Sequence, residues 1–348
     1  MHKELHAILS SLGGNFQAGS DVVDDFGNRA AELQAAASGG AMADLSHLAV
    51  MSIHGVDATT FLHGQFSCDV AGLPAGHATY GSYCTAKGRM LATFLLWQQA
   101  DGWRLLLPRS IAPAIQKRLK MYVLRAKVSI DELSESLALI GCVGPSCIPA
   151  AENIGITLPA NAMQVLEAGA ASAVATTAIA IPGNRWIICL PAEQAGAVWL
   201  PLAEKLQPIG ARAWTWTDIR NGVPHLTQPT QEQFVPQMAN LEAIGGVSFK
   251  KGCYPGQEIV ARTQYLGKTK RRMYLAHAAS AAAAGDPVYS DDVAGQSNGM
   301  VVDAQAAPGG GFDLLVVVQT DSAAQSTVHL VSPDGPTLEF GTLPYPVS

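Results

Sequence analysis

The chain has 348 residues, too many for one typical hydrophobic core and enough for two or three packed units. Only 14% of the residues are charged and the formal net charge is −6, which argues against wholesale disorder and against a general nucleic-acid coat protein. No apolar run reaches the roughly 18 residues that span a bilayer, and six scattered cysteines with no C-x-x-C pair speak for reduced thiols in a cytoplasm.

Residues 1–43 read as a peripheral lead-in. The charged start, Met1-His2-Lys3-Glu4-Leu5-His6, is not a secretory leader. Leu5, Ile8, Leu9 and Leu12 share one face of an amphipathic helix, and the alanine-rich run 30–43 reads as a second helix or a mobile connection. A first α/β unit, 44–135, opens with a strand at 48–53, ended by His54-Gly55. A helix follows over 56–63, with Asp57 near its start, where a carboxylate suits the free amides. Strands at 80–84 and 90–98 are joined by a hairpin at Thr85-Ala86-Lys87-Gly88-Arg89. A strand at 103–107, a helix at 111–123 and a strand at 127–130 complete the unit.

A second α/β unit, 136–272, has the same texture. It offers strands at 137–143, 174–181 and 185–190, a helix at 192–206, and a strand or helix start at 214–219. If 214–219 is a strand, Trp214 and Trp216 face one side and form a wall for a flat heterocycle. Core packing is the ordinary alternative. From 273 to 348, short strands at 288–289, 299–302 and 312–318 lie between Gly/Pro turns, which predicts a small β-barrel, with the alanine-rich run 276–284 as a loop. The fold class is α+β.

The densest chemistry is in Lys250-Lys251-Gly252-Cys253-Tyr254-Pro255-Gly256-Gln257-Glu258. Cationic neighbours favour a thiolate, and flanking glycines let the backbone approach a partner closely. The plain alternative is a Gly/Pro turn whose cysteine has no task. Lys251 is the candidate activator of Cys253 as a nucleophile. No histidine lies nearby in sequence; His225 is the nearest upstream. Between 250 and 272 stand seven basic residues, Lys250, Lys251, Arg262, Lys268, Lys270, Arg271 and Arg272, against one acid, Glu258. Such a field suits a polyglutamate tail or an RNA backbone, unless its charges pair with acids elsewhere. Glu258 is a candidate acceptor for a ligand, or a partner of Lys250 or Lys251. Lys87 and Arg89 at the hairpin tip either touch a ligand carboxylate or serve solubility. Neither G-x-x-x-x-G-K-[ST] nor G-x-G-x-x-G is present, so nucleotide hydrolysis and Rossmann-type binding lack support.

Phe234-Val235-Pro236-Gln237-Met238-Ala239-Asn240-Leu241, Gly245-Gly246-Val247-Ser248-Phe249 and the cysteine motif together resemble the signature of the YgfZ family of folate-binding proteins, relatives of the glycine cleavage T-protein, an aminomethyltransferase. The resemblance extends to Gly55-Val56-Asp57, Phe61-Leu62-His63-Gly64-Gln65, Lys87-Gly88-Arg89, Leu124-Arg125-Ala126-Lys127-Val128 and Leu343-Pro344-Tyr345, and covers about 44–348. It implies a ring of domains around a central folate site, tetrahydrofolate as ligand, and support of iron–sulfur enzymes, including those that thiolate tRNA. Cys253 becomes the motif thiol, a nucleophile, redox group or transient cluster ligand. Trp214 becomes the folate-stacking residue, and Lys87, Arg89, Gln257, Glu258 and Arg262 the remaining folate contacts. Iron–sulfur proteins and tRNA are the implied partners. The chain departs from the transferase pattern at Ala92-Thr93, where an Asp-Asp pair is expected, at Arg220 in place of an acid, and at Leu48 in place of a tryptophan. A folate-dependent one-carbon transferase and a tRNA-binding module are the rival readings.

Overall fold

Residues 90–97, Met-Leu-Ala-Thr-Phe-Leu-Leu-Trp, form a nearly unbroken apolar run, which suits a strand covered on both faces. In the computed structural model, which describes residues 3–168, 174–266 and 269–347, this run lies inside a five-stranded antiparallel sheet. The order is Ala78–Cys84, Met90–Gln99, Gly102–Pro108, Leu48–His54, Ser129–Glu132. Leu95 and Trp97 point into one core, Phe94 and Leu96 into another. Helices Ala58–His63 and Ala112–Val123 cover the outer face through Phe61, Leu62, Ile115 and Leu119.

A second sheet runs Val165–Ala168, Thr176–Ile181, Arg185–Pro191, Leu137–Val143, Ala41–Asp44, Gln207–Ile209, with only the last pair parallel. Helices Lys3–Ser11, Cys147–Glu152 and Ala195–Ala203 pack on its outer face through Leu5, Leu9, Ala151 and Trp199. The inner faces of the two sheets share one core. Leu48, Val50 and Leu106 come from the first sheet and Leu139, Ile179 and Ile187 from the second, with Trp214 and Trp216 of helix Ala211–Arg220.

One expectation is overturned here and one open alternative is decided. The segment 1–43 is not peripheral: Leu9 is fully buried, and Ala41–Asp44 is an interior strand paired on both sides. Of the strand and the helix start that the sequence left open for 214–219, the helix is found, so Trp214 and Trp216 lie about 200° apart around the axis, form no common wall and both pack in the core, the ordinary alternative.

The third sheet is ordered Val328–Leu330, Pro287–Ser290, Gly299–Ala306, Phe312–Gln319, Arg271–Ala278, Glu339–Phe340. Leu330 N donates to Pro336 O and Leu338 N to Val328 O, while Glu339–Phe340 pairs with Arg271–Ala278, so the sheet curls back toward its own first strand. Val288, Val301, Leu314, Val316 and Val328 fill it. The architecture is α+β, with two sheet-and-helix units and a curled C-terminal sheet. Among the described residues no helix is long and apolar enough to cross a membrane, and no group of three or more His, Cys, Asp or Glu is placed to hold a metal ion.

Candidate functional site

Three residues, Leu45-Ser46-His47, carry the chain from the second sheet to the first. His47 therefore stands at the seam between them. With Arg109, Thr215, His225, Asp303 and Gln305 it lines a cavity of about 380 Å³. The N-terminal hairpin that pairs Asn15–Phe16 with Val23–Asp25 closes one wall through Gln17, Ser20 and Val22. Leu48 and His225 also line a narrower apolar slot with Tyr80, Phe94, Trp214 and Val223. The slot leaves about 20 Å³ for water centres, roughly one water.

A buried charge network borders the slot. Arg185 Nη1 donates to Asp218 Oδ1 at 2.5 Å and to Thr217 Oγ1 at 2.9 Å, and His225 Nε2 lies 3.2 Å from Asp218 Oδ2. Burial alone would raise the Asp218 carboxyl, but the charges of Arg185 and His225 outweigh it and hold it down at about 2. Burial likewise opposes charge on His225, and the Asp218 carboxylate overcomes it and raises that pKa. The Arg185 guanidinium stands 5.5 Å from the Trp214 ring. That ring leans on Gly141, where an added Cβ would meet ring atom Cζ3 at 2.4 Å, so only glycine fits.

Several polar atoms here lack partners. Nδ1 of His47, Nδ1 of His225, Nε of Arg109 and Nη2 of Arg185 are buried and have no hydrogen-bond partner among the described residues. The first three belong to side chains lining the larger cavity. An unmet buried polar group costs about 1–3 kcal/mol, so these atoms mark a place suited to a polar ligand. Burial pushes His47 down to about 4 and Asp303 up to about 7, which leaves His47 uncharged and Asp303 at its titration point near neutrality.

The cysteine motif forms a separate site. Cys253 is exposed, whereas the other five thiols are buried. The loop that carries it is held from three sides. Lys251 Nζ donates to the carbonyls of His63, Phe66 and Cys68, and stands 5.0 Å from the ring of buried Tyr254. Gly256, at φ +83°, lies backbone on backbone with the hairpin tip: an added Cβ would meet Gly88 Cα at 2.6 Å and Thr85 O at 2.5 Å. His63 comes beside the loop, 3.8 Å from where a Cβ on Gly252 would be, while its Nδ1 accepts from Ala71 N.

The fold thus gathers the hairpin of Lys87 and Arg89 against the turn that starts helix Gln257–Leu266, which carries Gln257, Glu258 and Arg262. Arg89 Nη1 donates to Gln233 O, and Gln257 Nε2 to Lys251 O. Of the candidate site residues named from sequence, Trp214 is buried and lines the slot but not the larger cavity, and His225 lines both; Cys253, Lys251, Lys87, Arg89, Gln257, Glu258 and Arg262 line neither. Lys251 spends its three donors on carbonyls, so it shapes the loop rather than standing free to activate the thiol; burial lowers its pKa to about 8. Among the described residues Glu258 makes no ion pair with Lys250 or Lys251. The basic run does not form one face, because Arg272 is buried on Glu242 and Gln237 O. Lys268 lies outside the described residues. His47, Arg109, Arg185 and Asp303 escaped the sequence reading, being spread over some 250 positions that only the fold unites. His225 and Asp218 were visible, but not their pairing.

Comparison with known proteins follows the same lines. Residues 14–251 match the family model described as the GCVT N-terminal domain. The tRNA-modifying protein YgfZ of Edwardsiella ictaluri (strain 93-146) is 31% identical over 302 residues, covering 85% of this chain and 89% of that protein. The protein of the same name from Vibrio atlanticus (strain LGP32) is 32% identical over 234 residues, 67% of this chain and 68% of its own. The crystal structure of glycine cleavage system aminomethyltransferase T from Bartonella henselae superposes with a TM-score of 0.79 at 17% identity, covering 99% of this chain and 97% of that one, a likeness of fold.

Proposed function

The chain belongs to the YgfZ family of GCVT N-terminal domain proteins, and from that membership we propose that it is a folate-binding accessory protein for tRNA modification. The carrying observation is the cavity between the sheets, whose polar wall holds unpartnered His47 Nδ1, His225 Nδ1 and Arg109 Nε beside the Trp214 slot. The residues fit the ligand class. A folate joins a flat pterin to a tail that ends in carboxylates. Arg109 offers a guanidinium to a carboxylate, and the imidazoles offer one donor or acceptor each to a heterocycle. A bound tetrahydrofolate would supply one-carbon or reducing chemistry. Thr93 borders the slot, and its hydroxyl is engaged by Pro224 O and Leu226 N, so position 93 offers no carboxylate to an amine; the carboxylate that lines the slot, Asp218, is paired with Arg185 and His225. Because Cys253 lines neither cavity nor slot, the thiol serves a partner rather than the folate. The partners in this reading are enzymes whose iron–sulfur clusters are built or repaired with help from that thiol. A single thiol cannot hold a whole cluster, which takes about four ligands.

Titration of tetrahydrofolate followed by tryptophan fluorescence tests the cavity. Arg109→Met and His225→Asn should each weaken binding about tenfold, a loss of about 1.4 kcal/mol. Cys253→Ala should bind folate as the parent does, yet fail to restore cluster-dependent tRNA thiolation in a deletion strain. No binding by the parent chain, or unchanged binding by both cavity variants, refutes the folate site; full complementation by Cys253→Ala refutes the thiol's role.

A further inference from the structure

Helix Ala112–Val123 buries Ile115 and Leu119, but its end leaves Met121, Tyr122 and Leu124 in solvent, 59, 45 and 87% exposed. Val56, in the turn before helix Ala58–His63, is 84% exposed. The two turns touch, since Asp57 Oδ2 accepts from Lys127 N at 2.7 Å. Lys117, Lys120, Arg125 and Lys127 stand exposed on the same stretch of chain. None has a carboxylate partner among the described residues. Residues 112–128 carry five cations and no acid in a chain of net charge −6.

Leu124 has φ +47° and ψ −103°, and Val123 O accepts from Ala126 N at 2.8 Å. That is the first corner of a type II′ turn, a position that favours glycine. A leucine there is strained and gains no burial in return. Strain of this kind persists where it serves a purpose.

We propose that this surface docks a protein partner whose contact face is an apolar pocket rimmed by aspartates and glutamates. Val56, Met121 and Leu124 are aliphatic anchors suited to a pocket between side chains, whereas a nucleic acid offers bases, for which Tyr122 alone is suited. A second copy related by a two-fold axis would set cations against cations. Val56 precedes Ala58–His63, and the carbonyl of His63 holds Lys251, so the surface and the Cys253 loop flank one short helix. The inference does not depend on what the central cavity binds.

The test places photoreactive benzoylphenylalanine at position 124 of the full chain in cells and maps crosslinks by mass spectrometry. The expected product is a protein joined through a segment in which Asp or Glu flanks apolar residues. Its yield should fall at least about tenfold when Lys120→Glu and Arg125→Glu are added, and the same probe at Val331, an exposed residue just beyond strand Val328–Leu330, should not give it. The purified partner should bind Leu124→Gly about tenfold more weakly than the parent, although glycine relaxes the turn and raises the thermal midpoint. Crosslinks to RNA, to a second copy or to nothing overturn the proposal, as do a yield indifferent to charge reversal and an affinity unchanged by Leu124→Gly.

Discussion

At the scale of single residues, the wall of the central cavity titrates. Burial lifts Asp303 from the ordinary 3.8 to about 7. An acid raised in this way holds its proton in the folded state where the unfolded chain has lost it, so its contribution falls as pH climbs between about 4 and 7. His47 works in the opposite sense. Lowered from 6.5 to about 4, it sheds a proton that the unfolded chain keeps, so its contribution rises with pH over that window. Asp303→Asn removes the first effect and leaves the second, and the amide oxygen still accepts from Ala304 N. The variant should therefore gain urea resistance relative to the parent as pH is raised from 5 to 8. An advantage that is the same at both ends would show that Asp303 titrates normally.

Among elements, the meeting of two glycine turns fixes the cysteine loop. In Gly256→Ala a methyl group would press on Thr85 O and Gly88 Cα at a backbone angle that L residues resist, at a cost of about 2 kcal/mol or more. A lower melting temperature and an altered rate of Cys253 alkylation should follow; a variant matching the parent in both would mean the contact is slack. That the hairpin and the cysteine turn exist was legible in the sequence, because Gly88 sits between two apolar runs and Pro255-Gly256 interrupts the next. That they touch was not, since nothing local links position 88 to position 256. Trp214-Thr215-Trp216-Thr217 left strand and helix undecided for a different reason. β-branched and aromatic residues in alternation suit a strand, but tertiary contacts impose a helix: Gly210 N, at its start, bonds Glu32 Oε2, and Trp216 Nε1 bonds Asp313 on the third sheet. Ala41-Met42-Ala43-Asp44 has little strand propensity of its own and is a strand because two neighbours pair with it. Cys253 was legible as an exposed thiol because lysines and glycines surround it, whereas the cavity side chains lie on elements too far apart for any motif.

Across the whole molecule, the N-terminal segment completes the body. Deleting residues 1–43 withdraws an interior strand and uncovers Trp199 and its neighbours under helix Lys3–Ser11. The truncated chain should be insoluble or lose near-UV circular dichroism, and a soluble, cooperatively melting product would contradict this account. The same strand bears on how fast the native state is reached. Ala41–Asp44 waits for one partner roughly a hundred residues downstream and another beyond that, and such long loop closures hold folding to milliseconds or slower. Until both arrive, its amides have no mates and the inner sheet faces stay bare, so the newly made chain passes through a sticky interval in which a chaperone has something to hold.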